Sequence, residues 1–131
     1  MESLAFDTTF LIDFQRERKR REPGRAHEFL KNQADKGAFL STIAYGEYAE
    51  GFDDLYDAAF LSVVESFELL SITRATAARY STIARHLRQA GLLIGANDLW
   101  IAAVALEHSL PLVTDNISHF GRVPDLEVLG Y

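Results

Sequence analysis

Short runs rich in apolar residues alternate along this chain with longer segments in which apolar side chains recur every three or four positions. The short runs are typical of buried strands and the periodic segments of amphipathic helices. The pattern predicts strands at residues 4–6, 38–40, 67–72, 111–114 and 126–128.

Polar residues and glycines mark where the predicted helices begin and end. Thr8 or Thr9 is expected to cap a first helix that turns Phe10, Leu11 and Phe14 inward, before the break at residues 23–24. Further helices are predicted at 25–34, from Ser41 or Thr42 to Gly51, at 53–67, and from Thr73 to Gly91.

Two further helices are predicted with a defined inner face, and another helix is predicted to be buried on all sides. Residues 53–67 are expected to bury Leu55, Ala59, Val63 and Ser66, and the helix capped by Thr73 is expected to bury Ala75, Ala78, Ile83, Leu87 and Ala90. Residues 99–106 are all apolar, which is typical of a helix buried all round. Strands that alternate with helices indicate a parallel sheet covered on both faces. The prediction is therefore one three-layer α/β/α sandwich over residues 1–131.

Composition narrows the class of protein. The chain has 131 residues, 48% of them hydrophobic, and no cysteine, which excludes disulfides and thiolate metal sites. No signal segment or bilayer-length apolar run is seen, so a soluble cytoplasmic protein without a membrane association is expected. The net charge of −6 argues against a protein that binds nucleic acid by overall charge alone.

One local segment is strongly basic. Five of the six residues at positions 16–21 are cationic, namely Arg16, Arg18, Lys19, Arg20 and Arg21. Such a run is either a solvated helix end or a surface that contacts phosphates, and both interpretations stay open.

Carboxylates stand where apolar elements meet one edge of the predicted sheet. Asp7 follows the first strand and the pair Asp115–Asn116 follows the fourth, while Glu47 and Asp98 lie in helices that begin near the same edge. Each has an ordinary alternative, such as a helix-dipole partner, a surface residue or a turn. Clustered acids without cationic partners repel one another, so a hard divalent ion is expected here, Mg²⁺ with Mn²⁺ as the alternative. Zinc fits poorly, because cysteine is absent and the four histidines lack ligand spacing.

Four segments occur in an order and spacing that resemble the PIN-domain family, and within it the VapC-like ribonuclease toxins of type II toxin–antitoxin pairs. They are DTTFLID, STIAYGEYAEG, GANDLWIAAVALEHSLPLVTDN and HFGRVPDLEVL. The resemblance implies a five-stranded parallel sheet whose first and fourth strands are neighbours. It also implies a magnesium-dependent endoribonuclease that cuts RNA phosphodiester bonds, forms a homodimer and is blocked by a small antitoxin protein.

The resemblance carries roles onto individual residues. Asp7, Glu47 and Asp98 match the principal acids of the family. Asp7 and Asp98 would hold the metal, and Glu47 would orient a water or the nucleophile. Thr8 and Thr114 would support these ligands by hydrogen bonds. The fourth position stays open between Asp115 and Asn116, and Thr9 stands where the family often has asparagine. The basic run at 16–21 is the leading candidate to contact RNA.

Two other classes of protein are weighed against this hypothesis. A phosphoacceptor receiver domain needs an aspartate after its third strand and a late lysine, but FELLSI has no aspartate and no lysine follows Lys36. A catalytically silent PIN-like module that serves only in binding or assembly would be favoured by the loss of a principal acid, and all three are present. A ribonuclease is the favoured interpretation.

Overall fold

A computed structural model describes residues 2–131 and contains one five-stranded sheet. All strand pairs are parallel, and the strand order is β3-β2-β1-β4-β5. The strands are β1 (Ser3–Phe6), β2 (Gly37–Ser41), β3 (Glu68–Leu70), β4 (Leu112–Val113) and β5 (Val128–Leu129). The predicted parallel sheet and the adjacency of β1 and β4 are confirmed.

Seven helices connect the strands of the described chain. They are α1 (Thr8–Arg20), α2 (Arg25–Asn32), α3 (Thr42–Ala49), α4 (Ala58–Val64), α5 (Arg74–Ala90), α6 (Ala96–Glu107) and α7 (Ile117–Phe120). Because the crossovers of parallel strands are right-handed, the steps from β1 to β3 and the return to β4 put their helices on opposite faces of the sheet. The three-layer α/β/α architecture is thus the one predicted.

The core is built from β1 and the apolar side chains on both of its faces. Leu4, Ala5 and Phe6 are all buried, as expected for a central parallel strand. The Phe6 ring packs 4.7 Å from Phe10 and 5.2 Å from Phe67, measured between ring centroids. These contacts fix the carboxyl end of β1, where the first acid of the candidate site follows.

The start of α1 differs from the sequence prediction. Asp7, rather than Thr8 or Thr9, is the N-cap, and its Oδ1 accepts a hydrogen bond from the backbone N–H of Phe10 at 3.2 Å. Aspartate is as good an N-cap as serine or threonine, so the helix is capped one residue before Thr8. Ser41 and Thr73 cap α3 and α5 as predicted.

The prediction of a helix over 53–67 was wrong at both ends. α4 begins at Ala58 behind the N-cap Asp57 and ends at Val64, and the predicted inner residues Leu55, Ala59 and Ser66 are exposed. Asp54 accepts a hydrogen bond from the Tyr56 backbone and stabilises a turn that competes with the helix. The inner residues of α4 are therefore Phe60, Val63 and Val64.

The inner face of α5 was also predicted partly wrongly. Ile83 and Leu87 are buried as expected, but Ala75, Ala78 and Ala90 are exposed. The buried positions include Thr76, whose side chain completes a reciprocal capping box with Thr73. Alanine is small enough to fit either face, so it marks the buried side of a helix poorly. α6 is buried nearly all round, as predicted.

The remaining boundaries shift by a few residues. β3 is limited to three residues within the predicted 67–72, and β5 lies two residues later than its predicted start. No helix within residues 2–131 is long and apolar enough to cross a membrane.

Candidate active site

The candidate site lies where the strand order reverses. From β1 the chain moves outward to β2 and β3, and then returns to β4 on the other side of β1. The carboxyl ends of β1 and β4 thus flank the crevice in which open α/β sheets bind their ligands. Asp7 directly follows β1 and Thr114 directly follows β4.

Asp7 is buried, with 3% of its surface exposed, and its carboxylate accepts three hydrogen bonds. Oδ1 accepts from the Thr9 hydroxyl at 2.7 Å and from the Phe10 backbone, while Oδ2 accepts from the Thr114 hydroxyl at 2.6 Å. A carboxylate offers about four acceptor positions, so one position on Oδ2 stays available for a ligand. Burial raises the pKa of Asp7, and the charge of Asp98 adds to that increase, although the three hydrogen bonds oppose it.

Glu47 lies in the second turn of α3 and is half-buried. Its Oε1 accepts a hydrogen bond from the Thr8 hydroxyl at 2.6 Å, and its Oε2 accepts one from the Asn97 amide at 3.2 Å. α1, α3 and α6 therefore meet at this carboxylate. Each of its oxygens retains acceptor capacity for a further partner.

Asp98 lies in the first turn of α6 and shares an electrostatic environment with the other two acids. Burial raises its pKa, the negative charge of Glu47 raises it further, and His119 acts in the opposite direction. His119 Nδ1 lies 3.8 Å from Asp98 Oδ2. This distance is too long for an ordinary hydrogen bond, so Asp98 keeps more free acceptor capacity than Asp7 and Glu47, which accept hydrogen bonds from threonine hydroxyls.

The side chains of the two residues after Thr114 have different partners. The Asp115 side chain faces Arg25, whose Nη1 lies 3.4 Å from Oδ1, and its backbone N–H donates to the Thr9 hydroxyl at 3.2 Å. The Asn116 amide instead lies 3.0 Å from His119 Nδ1, on the side of Asp98. Asn116 is thus joined to the acidic group, whereas Asp115 has its own cationic partner.

The basic run lies apart from these acids. Arg16, Arg18, Lys19 and Arg20 occupy the last turns of α1, Arg21 is its C-cap, and all five are exposed. Because α1 begins beside Asp7, the run lies about 14–21 Å along the helix from that carboxylate. Glu17, within the run, is buried and belongs to a different arrangement.

Asn97 and His119 were not singled out from the sequence as site residues, and Thr9 was noted only as a departure from the family pattern. Thr9 bonds both Asp7 and the Asp115 backbone, Asn97 bonds Glu47, and His119 lies between Asn116 and Asp98. Two sequence features could have identified these residues: Asn97 directly precedes Asp98, and His119 is one helical turn after Asn116. Arg25 had no local signal, because its partner is 90 residues away.

The donor chemistry of the site fits a hard cation that keeps much of its water. Within residues 2–131 no three Asp, Glu or His side chains stand close enough to form a ready cage. Mg²⁺ needs no such cage, because it is held through one or two carboxylates and retains several waters. Asp98 and the free position on Asp7 Oδ2 are carboxylate oxygens of the kind that this ion prefers, and Glu47 retains acceptor positions for a hydrogen bond.

Comparison with known proteins identifies the family of this chain. The PIN domain family model matches residues 4–126. Ribonuclease VapC1 of Methanocaldococcus jannaschii is 31% identical over 126 residues, which cover 95% of this chain and 84% of that protein. Ribonuclease VapC of Rickettsia bellii is 34% identical over 100 residues, covering 70% of this chain and 75% of that protein.

Solved structures share the fold over nearly their whole length. VapBC2 from Rickettsia felis, bound to a DNA fragment from its promoter, superposes with a TM-score of 0.83 at 24% identity, covering 98% of each chain. VapBC-1 from nontypeable Haemophilus influenzae gives 0.78 at 25% identity, covering 97% of this chain and 96% of that one. With its parallel sheet, its acids at the strand-order reversal and a family match over nearly all of its length, this chain belongs to the PIN-domain family.

Proposed function

We propose that this protein is a metal-dependent endoribonuclease and the toxin of a toxin–antitoxin pair, with residues 1–131 acting as one nuclease domain. The observation that carries the proposal is the meeting of Asp7, Glu47 and Asp98 at the strand-order reversal, with acceptor capacity left on each carboxylate. Relatives of similar length are named ribonucleases, which supports RNA as the substrate.

In this proposal the three acids have different roles. Asp98 and Asp7 would hold the ion, Mg²⁺ or alternatively Mn²⁺. When bound, that ion supplies positive charge at the phosphoryl oxygens and lowers the pKa of its water. Glu47 is held from two sides by Thr8 and Asn97, so its free lone pairs are aimed and can orient the attacking water and accept its proton.

The hydroxyls of Thr9 and Thr114 serve a different purpose. Both donate to Asp7, which favours its charged form against the effect of burial and fixes the direction of its remaining lone pair. Asn116, not Asp115, takes the fourth position in this proposal, because its amide is linked through His119 to Asp98.

The partners follow from the same family membership. Solved relatives are described as VapBC assemblies, and one is described as a toxin–antitoxin complex from Klebsiella pneumoniae. We infer a small antitoxin as the protein partner, a homodimer as the assembly and the cytoplasm as the place of action. Distal RNA phosphates would meet the basic run at 16–21.

Cleavage of total cellular RNA by the purified protein tests the activity. Discrete fragments are expected with Mg²⁺ or Mn²⁺, and none with EDTA. The matched control is Asp98→Asn, which keeps the size of the side chain and removes its charge. Absence of cleavage by the wild type with either ion, in protein shown to be folded, would favour the silent assembly module. Equal cleavage by wild type and Asp98→Asn would show that Asp98 is not a ligand.

A further inference from the structure

Helix α5 carries arginines and no acidic residue, although the chain as a whole is acidic. The protein has 13 Lys and Arg against 19 Asp and Glu, yet the 17 residues of α5 include four arginines and no acid. Those arginines are Arg74, Arg79, Arg85 and Arg88. None of them forms an ion pair within residues 2–131, although Arg16 and Arg25 do.

Three of the four arginines lie on the outward side of the helix. The inner face is set by Thr76, Ile83, Ala84 and Leu87. Arg85 follows Ile83 by two residues and so points roughly away from it, at 100° per residue. Arg74 lies 11 residues, about three turns, before Arg85 on the same side, and Arg88 lies one turn after it. We call Arg74, Arg85 and Arg88 the α5 basic face; all three are exposed.

α5 and α6 form an antiparallel hairpin, which places one end of this face beside the acids. At the far end, Thr73 donates a hydrogen bond to Glu107, the last residue of α6. In the middle, Tyr80 stacks on Trp100 with 4.0 Å between ring centroids. At the near end, a short loop leads from Gly91 to the N-cap of α6, Gly95, three residues before Asp98. Arg85 and Arg88 are therefore at the end of the hairpin that carries Asp98. Arg74 lies about 16–21 Å from these two arginines along the helix axis.

A solvated helix face is the ordinary alternative, and the charge pattern argues against it. Arg85 and Arg88 are like charges three residues apart, and α5 has no acid to offset them; like charges at this spacing destabilise a helix. Arg88 alone has an intrahelical role, because it lies in the last turn and complements the helix dipole. Arg85 has none.

We propose that the α5 basic face binds the phosphate backbone of the RNA substrate, with Arg85 and Arg88 contacting phosphates next to the cleavage site and Arg74 extending the path along α5. This inference rests on the proposed ribonuclease function. Arginine suits the task, since it stays charged and can contact two phosphate oxygens at once. The positive face also offsets the repulsion between RNA and the acidic site in a chain of net charge −6.

Salt-dependent binding tests the assignment without any cleavage. The probe is a fluorescent single-stranded RNA of mixed sequence, bound by the full protein in EDTA over a range of KCl concentrations. Arg85→Gln and Arg88→Gln should each reduce the log–log salt slope by about 0.7, as expected for one lost contact to a single strand. The matched control is Arg79→Gln, which removes the same charge from the flank of α5 that lines a cavity with Leu106 and Asp125; its slope should equal that of the wild type. Arg88→Lys should restore the slope that Arg88→Gln loses.

Each other outcome of the binding experiment either supports or overturns the proposed RNA contact. Unchanged slopes in Arg85→Gln and Arg88→Gln would overturn the proposal, as would equal losses in all three glutamine variants, which would indicate a general charge effect. A change in oligomeric state without a change in RNA affinity would also overturn it and assign the face to a second copy of the chain. Slope losses limited to Arg85 and Arg88 support the face even if the wild type fails to cut RNA with Mg²⁺, in which case only the proposed activity fails.

Discussion

The hydroxyl of Thr114 donates a 2.6 Å hydrogen bond to Oδ2 of Asp7, and both side chains are buried. The bond joins residues 107 positions apart, one after β1 and one after β4, across the point where the strand order reverses. Thr114 also accepts from the backbone N–H of Asn116 at 2.9 Å. The same threonine therefore orients an acid of the proposed metal site and the loop that carries its fourth residue.

Asp7 serves as both a helix cap and a proposed metal ligand, and two substitutions separate these roles. Asp7→Asn keeps a good N-cap but loses the charge, whereas Asp7→Ala loses both. Each should reduce RNA cleavage by at least about 100-fold. In EDTA, Asp7→Ala should lower the free energy of unfolding by about 0.5–2 kcal/mol more than Asp7→Asn does, because only alanine leaves the Phe10 N–H without its partner. Denaturant melts of both variants measure this, and equal stabilities would show that the cap contributes nothing.

Metal binding should appear as added stability in the wild type. A ligand that binds only the folded state at 100 times its Kd stabilises that state by about 2.7 kcal/mol. Thermal melts with Mg²⁺ should therefore shift upward for the wild type and far less for Asp98→Asn, whose proposed ligand is neutralised. Asp35→Asn is the control, because Asp35 is exposed and lies in the turn before β2. If Asp98→Asn responded to Mg²⁺ as fully as the wild type, the ion would have to bind elsewhere.

Asp115 and Asn116 should differ in their effect on cleavage. Asn116→Ala removes the amide that bonds His119 beside Asp98, and we expect a loss of at least about tenfold. Asp115→Ala removes an exposed pairing with Arg25, and pairs of this kind contribute only about 0–1 kcal/mol. The hydrogen bond from the Asp115 backbone N–H to Thr9 does not involve the side chain, so the substitution retains it. Single-turnover cleavage rates compare the two variants, and a larger loss in Asp115→Ala would exchange their assignments.

Sequence reasoning predicted what depends on periodicity and on strand ends. The parallel sheet and the buried α6 follow from local apolar patterns combined with general rules for α/β sheets. The adjacency of β1 and β4, which places Asp7 beside residues 114–116, was implied by the resemblance to the PIN-domain family. The start of α4 was missed because Asp54 and Asp57 each accept a hydrogen bond from the backbone N–H two residues later, of Tyr56 and Ala59, and only packing decides which of them caps the helix.

The contacts that orient the site could not be predicted in the same way. Asn97 and Glu47 are 50 residues apart, and Arg25 and Asp115 are 90 apart. Such pairs depend on the relative positions of packed helices, which no local pattern contains. The basic run shows the same limit, because it conceals a buried acid at Glu17.

Glu17 holds the turn between α1 and α2 together. Its carboxylate accepts hydrogen bonds from the backbone N–H groups of Gly24, Ala26 and His27, and lies 2.7 Å from His27 Nδ1. It thus caps α2 from another helix, where the N-cap residue Gly24 has no side chain to do so. A Cβ at position 24 would lie 2.8 Å from the Glu17 carboxylate, which explains the glycine.

Stability should therefore depend on Glu17 in acid. Burial raises its pKa, but the hydrogen bonds from His27, Ala26 and Gly24 outweigh burial and lower the pKa from 4.5 to about 2. A lowered pKa means that the charged form stabilises the fold above pH 4.5, and that this contribution, on the order of 3 kcal/mol, is lost as the pH falls from 4.5 towards 2. Glu17→Gln should be less stable than the wild type at pH 7, and the difference should shrink across that window. Urea melts at pH 7, 4.5 and 3 measure it, with Glu22→Gln as an exposed control. A difference between wild type and Glu17→Gln that stayed constant down to pH 3 would mean that the charge of Glu17 does not hold the turn.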